Sequence, residues 1–555
     1  MLTRLAISFQ NSIVRRTVKT GNTRQKTTMR IPERKENEGL VEYAERLSGL
    51  YSDVLRPKNV KTRGQFFTPK QVSVFMAGLF DINRDKITLL DPGAGTGILS
   101  AAFCEKLLHI GKPISLTIDA FEHDPEIIPL LKKVLQECKK DLEGRGSKVE
   151  FNVLAKDFIL TNETYLSGPG LFERGEKFYD FVISNPPYYK VGTESPYSRM
   201  MAELICGQPN IYAFFMTMAA SMLADKGEMV FITPRSFCSG LYYKNFRKWF
   251  LRKVRITRIH IFESRKDIFD KDQVLQENII IKASKNGKEG IVTITTSKDK
   301  DLNVLGRIEV DYSDIVSSKD SESFIRIPTS ELDVKILHII DKWPSTLNKQ
   351  GVQISTGPVV DFRAKEHLRQ DPTEESVPLL WMHNMQNMRV VWPLKKNKKP
   401  AAIAATEETS PLLLPVKNYV LLKRFTSKEQ RRRLDSAVLK QSEFPHESVG
   451  IENHVNYIHK PKGSLSVNEA FGIAALLNTG LIDNYFRSLN GHTQVNATEI
   501  RNLPLPELSV VKKIGEIISK ARDLPANLDE IIGSQLGIDA KVINHLEERY
   551  NGKSR

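Results

Sequence analysis

The stretch ITLLDPGAGTG (87–97) decides the fold. Its first half is a short apolar run of the kind that forms a buried strand. Its second half, DPGAGTG (91–97), opens on the acid Asp91 and carries glycines at 93, 95 and 97, and a helical pattern follows over 98–109. Strand, glycine loop and helix in this order make a tight turn where a ligand can approach bare backbone at a helix N-terminus. The loop is not a P-loop, because no Lys-Ser or Lys-Thr follows the glycines, and its GxGxG spacing differs from the dinucleotide fingerprint. An acidic start suits a cofactor with a cationic centre and no phosphate.

Outward from this stretch the pattern repeats. LTIDAFE (116–122), EFNVLAKD (150–157), YDFVIS (179–184) and EMVFIT (228–233) read as further buried strands, with helical segments at 98–109, 125–140 and 210–224 between them. Alternation of strand and helix predicts a parallel, doubly wound α/β sheet. ITRIHIF (256–262) and ENIIIKAS (277–284) have no helix of usual length between them and are expected to pair antiparallel at one edge. The second strand ends in Glu122, which is 25 residues after Gly97, where an acidic side chain can take two ribose hydroxyls.

NPPYY (185–189) follows the fourth strand, at the end of the sheet where open α/β folds bind ligands. Two consecutive prolines fix the backbone and keep carbonyls out of the ladder. The Asn185 amide oxygen and the Pro186 carbonyl then supply two acceptors aimed at one point, which fits an exocyclic amine with two N–H donors. Pro187 stiffens the turn, and Tyr188 offers a flat ring for stacking a heterocycle.

These motifs together resemble the class I S-adenosylmethionine-dependent amino-methyltransferases of DNA. RGQFFTP (63–69), the glycine loop and NPPY come in the order of the gamma group of N6-adenine enzymes, with a TaqI-like core and the size and layout of the PstI and BsuBI restriction-modification type. The resemblance covers about 63–285. It implies S-adenosylmethionine as cofactor, with Thr68 and Asp91, Gly93, Gly95 and Gly97 at its methionine part, Glu122 at the ribose, and Asp157 with Phe158 at its adenine. It places the target base at Asn185, Pro186, Pro187 and Tyr188. Phe269 in DIFDKDQ is the expected second stacking ring, with Phe262 as competitor and either open to a core role. An RNA-base or protein-glutamine methyltransferase would use the same NPPY acceptors and is the alternative.

The remaining chain supports this reading. Lys plus Arg is 81 and Asp plus Glu is 66, a net +15 that favours a polyanionic partner. Double-stranded DNA is the expected partner, with a separate companion restriction endonuclease possible and a monomer expected. No run reaches the 18 or so apolar residues of a membrane span. Four cysteines with no CxxC pair make neither a zinc site nor a disulfide scaffold, so no metal is expected and a reducing, cytoplasmic prokaryotic setting fits. The expected domains are a basic arm (1–40), which holds seven basic and no acidic residues in its first 32, a methyltransferase domain (41–325), a DNA target-recognition domain (326–510) and a helical segment (511–555). Basic runs at 395–399 and 421–433 are candidate phosphate contacts.

Overall fold

The computed structural model describes residues 13–20, 23–52, 67–166, 177–204, 207, 209–262, 277–287, 290–298, 302–317, 320–394, 398–427, 429–491, 493–521 and 524–551. The chain divides into two compact units, Met1–Thr329 and Ser330–Arg555. At the N-terminus, where an arm is expected, Ile13–Thr20 and Thr23–Arg30 pair as an antiparallel hairpin.

The first unit is built on nine strands: β1 (Lys86–Pro92), β2 (Ser115–Phe121), β3 (Lys148–Leu154), β4 (Tyr179–Ser184), β5 (Leu223–Pro234), β6 (Val254–Phe262), β7 (Asn278–Lys285), β8 (Ile291–Ser297) and β9 (Val304–Asp311). Helices α1 (Leu40–Leu50), α2 (Lys70–Gly78), α3 (Ile98–Ile110), α4 (Ile128–Glu143), α5 (Ile211–Ser221) and α6 (Lys244–Lys253) accompany them. The sheet order is β9-β8-β6-β7-β5-β4-β1-β2-β3. Strands β1 to β5 run parallel, and β7 lies antiparallel between β5 and β6. Near-continuous burial along β1, β4 and β7 explains why these strands read as unbroken apolar runs.

ITRIHIF and ENIIIKAS do pair antiparallel, but they do not form the edge, because β8 joins β6 in parallel and β9 caps β8. Strand β9 alternates exposed and half-buried residues, so it carries little of the apolar signal that marked the other strands.

The chain order reverses beside β1: it moves outward to β2 and β3, then returns to place β4 on the other side of β1. At such a reversal the loops leaving the two strands diverge and open a crevice. The two loop roots are tied together by the Ser184 hydroxyl, which donates to the Pro92 carbonyl at 2.7 Å. Helix α3 is held close to α4 by Gly97, whose φ is +89° and where a Cβ would meet Leu131 Cδ1 at 2.8 Å. Gly97→Ala is therefore expected to destabilise the protein by about 1–3 kcal/mol through left-handed strain and overpacking, read as a lowered thermal midpoint.

His260 on β6 is buried beneath Phe75 and Phe262, with its ring nitrogens on the hydroxyls of Thr295 (2.8 Å) and Ser297 (3.0 Å). Burial pushes its pKa down from 6.5 to about 4. The unfolded chain then binds a proton that the folded one refuses. Stability is lost as pH falls from about 6.5 towards 4, by roughly 3 kcal/mol from this group. Acid unfolding of His260→Gln, followed by circular dichroism, should show a shallower pH dependence across that window.

The second unit holds a six-stranded and a five-stranded sheet made of short strands, followed by helices Val467–Leu477, Gly480–Leu489, Leu508–Ser519, Leu528–Leu536 and Ala540–Asn551. The piece expected as separate from 511 begins inside helix Leu508–Ser519. That helix crosses Val467–Leu477 at two glycines: a Cβ on Gly472 would meet the Val511 carbonyl at 2.0 Å, and one on Gly515 the Asn468 carbonyl at 1.7 Å. The run Arg431–Arg433 also differs from a single solvated face. Arg433 is 1% exposed and donates to Thr426 and Asn490, and Arg432 pairs with Asp529 at 2.9 Å. Among the described residues no helix is long and apolar enough to cross a membrane.

Candidate active site

The crevice between the ends of β1 and β4 contains a cavity of about 370 Å³. Its walls include Gly93 and Gly95 of the glycine loop, Phe121 and Glu122 at the end of β2, Asp157 and Phe158 after β3, and Asn185 and Pro187 after β4. Thr68, just before α2, and Tyr189, Tyr197 and Phe215 complete it. Residues separated by more than a hundred positions thus meet because most of them follow a strand or open a helix at the carboxyl end of the parallel strands.

The loop presents its backbone to the cavity through two glycines with positive φ, Gly93 at +72° and Gly95 at +56°. A side chain at Gly95 would approach the Phe67 ring, and one at Gly93 would touch Phe215. Glu122 is 5% exposed. Its Oε2 accepts from the Gly95 N–H at 3.0 Å and its Oε1 from the Asp124 N–H at 2.8 Å. Burial pushes its pKa up, and the two N–H donors pull against that shift. The same carboxylate therefore shapes the loop and faces the cavity.

Asp91 and Gly97 have other places. Neither lines the cavity. Asp91 is fully buried, its Oδ2 accepts from the Ser100 hydroxyl at 2.6 Å, and burial raises its pKa to about 7. Its Oδ1 is buried without a hydrogen-bond partner among the described residues. Asp91 thus anchors the start of α3 beneath the loop, and Gly97 serves helix packing.

Asp157 holds three donors. Its Oδ1 accepts from the N–H groups of Ile159 (2.9 Å) and Leu160 (2.8 Å), capping the helical turn Phe158–Thr161. Its Oδ2 accepts from the Tyr197 hydroxyl at 2.6 Å. Phe158 lies between Phe121 and Phe215, with ring centroids at 5.2 and 5.3 Å.

The NPPY segment is held by a network that spans the fold. Asn185 Nδ2 donates to Thr68 Oγ1 at 3.1 Å, and Asn185 Oδ1 accepts from the Tyr188 hydroxyl at 2.8 Å. That hydroxyl also lies 2.9 Å from the Ile232 carbonyl on β5. The Asn185 amide is therefore held at both ends by hydroxyl groups. Tyr188 is 7% exposed, meets Tyr212 edge-on, and is not part of the cavity wall. Its hydroxyl contacts Asn185 and the Ile232 carbonyl, and the neighbouring Tyr189 lines the cavity. Thr68 is likewise a partner of Asn185, a contact that no local motif could reveal. Phe269 and residues 63–66 lie outside the described residues, and Phe262 is buried against His260.

Within the nine-stranded sheet, the order β6-β7-β5-β4-β1-β2-β3 with β7 antiparallel, and a glycine-loop cavity at the β1–β4 reversal, define a class I methyltransferase fold. The model for the Eco57I restriction-modification methylase family matches residues 105–269. The chain is 35% identical to the Type II methyltransferase M.BsuBI of Bacillus subtilis over 494 residues, covering 87% of this chain and 94% of the relative. It is 36% identical to the Type II methyltransferase M.PstI of Providencia stuartii over 480 residues, covering 85% of this chain and 92% of that one. The chain belongs to this family of Type II restriction-modification methyltransferases.

Proposed function

We propose that the protein transfers the methyl group of S-adenosylmethionine to the N6 amine of adenine in double-stranded DNA, at a sequence chosen by its second unit. The observation that carries this reading is the Asn185 amide, fixed between Thr68 and Tyr188 on the wall of the cavity. An amide oxygen so oriented is an acceptor for an amine that enters the same space.

The residues present fit the cofactor. Two positive-φ glycines leave backbone exposed where side chains would fill the cavity, and a buried carboxylate and an aromatic cluster line the far end. We assign Glu122 to the ribose hydroxyls, Gly93 and Gly95 to the methionine part, and Asp157 with Phe158 to the adenine ring. A carboxylate oxygen has two lone pairs, so Asp157 Oδ2 can accept from the adenine amino group beside Tyr197. The bound cofactor supplies a methyl already activated by sulfonium.

This chain's own residues then do the positioning. The target base is drawn out of the duplex, at a cost of a few kcal/mol. The Asn185 oxygen and the Pro186 carbonyl accept from the two N6–H donors and turn the nitrogen lone pair out of the ring plane, towards the methyl. Tyr188 and Thr68 hold the amide in place beside the cavity. Alignment of this kind contributes on the order of 7–11 kcal/mol of barrier lowering. The methylated amine, once cationic, is acidic enough to release its surplus proton to water.

Incubation with labelled S-adenosylmethionine and DNA, followed by nucleoside mass spectrometry, tests the reading. N6-methyladenine is the expected product. Methylcytosine, or methylation of RNA or a glutamine peptide in place of DNA, would overturn it. Glu122→Gln is expected to weaken cofactor binding roughly tenfold or more in calorimetry, because charge-assisted hydrogen bonds are worth about 1.5–3 kcal/mol.

A further inference from the structure

In the second unit, the loop 357–364 presents Phe362 at its tip. Phe362 is 72% exposed, more than any other large apolar side chain among the described residues. The exposure does not come from a loose loop. The Gly357 N–H donates to the Val455 carbonyl (2.8 Å), the Val359 N–H to the Ile451 carbonyl (3.1 Å), and the Asn453 N–H to the Val359 carbonyl (2.8 Å). A Cβ on Gly357 would stand 2.3 Å from the Glu452 carbonyl, so the loop base is pressed onto its neighbour. Val359 and Ala364, on either side of the tip, are buried in a cluster with Leu379, Trp381 and Ile403. Phe362 is therefore displayed by a rigid base.

Its surroundings are cationic and aromatic. The Arg363 guanidinium lies 5.6 Å from the Phe362 ring centre. Lys365 is exposed three residues after Phe362, and Lys399, which follows the exposed Lys398, pairs with Asp361 at 3.3 Å while lying 4.6 Å over the Trp381 ring. The segment 452–454, bonded to the loop base, carries His454 against the exposed ring of Phe425 at 5.0 Å. Acidic groups here are Asp361, held by Lys399; Glu452, buried against His454; the exposed Glu366; and Glu408, which lies 3.5 Å from His367, with the exposed Asp371, Glu374 and Glu375 following in the chain. An apolar ring raised among cations fits a partner that offers both phosphates and flat apolar faces, which is nucleic acid.

We infer that Phe362 is a wedge that inserts into the base stack of the duplex while Arg363 and the neighbouring lysines hold its phosphates. The inference rests on DNA being the substrate and names a residue that shapes its recognition. Apolar side chains inserted at a base step partly unstack it, and the cost depends on which bases form the step. Phe362 would thus contribute selectivity without a hydrogen bond to any base.

The test uses the full-length protein and a duplex carrying the site mapped in DNA from cells that express it. Phe362→Ala should weaken binding to that duplex at least about tenfold, as loss of one base–aromatic stack would, with the slope of affinity against salt unchanged, because no charge is removed. Phe362→Trp should restore it. Arg363→Glu should instead reduce the salt slope. Unaltered affinity of Phe362→Ala, an equal loss on single-stranded DNA of the same sequence, or failure of Trp to rescue would overturn the wedge. Failure of the wild-type protein to bind or methylate the duplex would overturn the underlying reading, and the wedge with it. The exposed position makes a folding defect an unsuitable explanation, and unchanged thermal unfolding of both variants checks that directly.

Discussion

Asn185→Ala is expected to slow methyl transfer by about a hundredfold to a thousandfold while changing cofactor affinity little. The magnitude follows from comparable sites, where removing one preorganised hydrogen-bonding group costs about 10²–10³ in rate. Asn185 has Thr68 on its nitrogen and Tyr188 on its oxygen, so its place is fixed before any substrate arrives. Alanine removes the acceptor and leaves the loop, Glu122 and Asp157 in place. Single-turnover kinetics at saturating cofactor and DNA isolate the chemical step. A rate within a few-fold of wild type would remove Asn185 from the reaction centre. Tyr188→Phe should show a smaller loss of the same kind, since the amide then loses the Tyr188 hydroxyl.

Removal of the second unit, residues 330–555, is expected to leave a protein that binds S-adenosylmethionine and no longer methylates at a defined site. The two units are separately compact, and every residue lining the cavity belongs to the first. A cleft that holds one base cannot encode a sequence. Each good base-edge contact discriminates by about 1–3 kcal/mol, and site-specific proteins gain typically 10³–10⁷ over non-specific DNA. Preference for the mapped site should therefore fall by on the order of 10³ or more. Calorimetry with the cofactor and a melting curve show whether the first unit folds alone. Retained site preference would place recognition in the first unit.

How far the sequence carries depends on how local each signal is. Strand β1, the glycine loop and α3 are contiguous, and a burial pattern of seven residues followed by three glycines marks them in one stretch. Asn185 is legible for the same reason, since two prolines after an apolar strand have few other uses. The relations that set the chemistry are not local. Thr68 and Asn185 lie 117 positions apart, so the hydroxyl that orients the amide reads only as part of an upstream segment. Asp91 reads as a cofactor ligand because an acid opens the loop, yet it turns to Ser100, on the third residue of the helix that follows. Tyr188 reads as a flat ring beside the turn, but its hydroxyl contact with Ile232, on a strand 44 positions later, has no local signal. Arg431–Arg433 shows the limit for charge: three like residues in a row are exposed, half-buried and buried in turn, because Asp529 pairs with Arg432 while Thr426 and Asn490 accept from Arg433.

The central claim is that this cavity methylates adenine N6 at a defined DNA sequence through Asn185. Long-read modification mapping of DNA from otherwise methylation-free cells, expressing either the wild-type protein or Asn185→Ala, tests it most directly. N6-methyladenine is expected at nearly every copy of one short sequence with the wild type, and none there with the variant. A different modified base, methylation without sequence preference, or an undiminished signal from Asn185→Ala would contradict it.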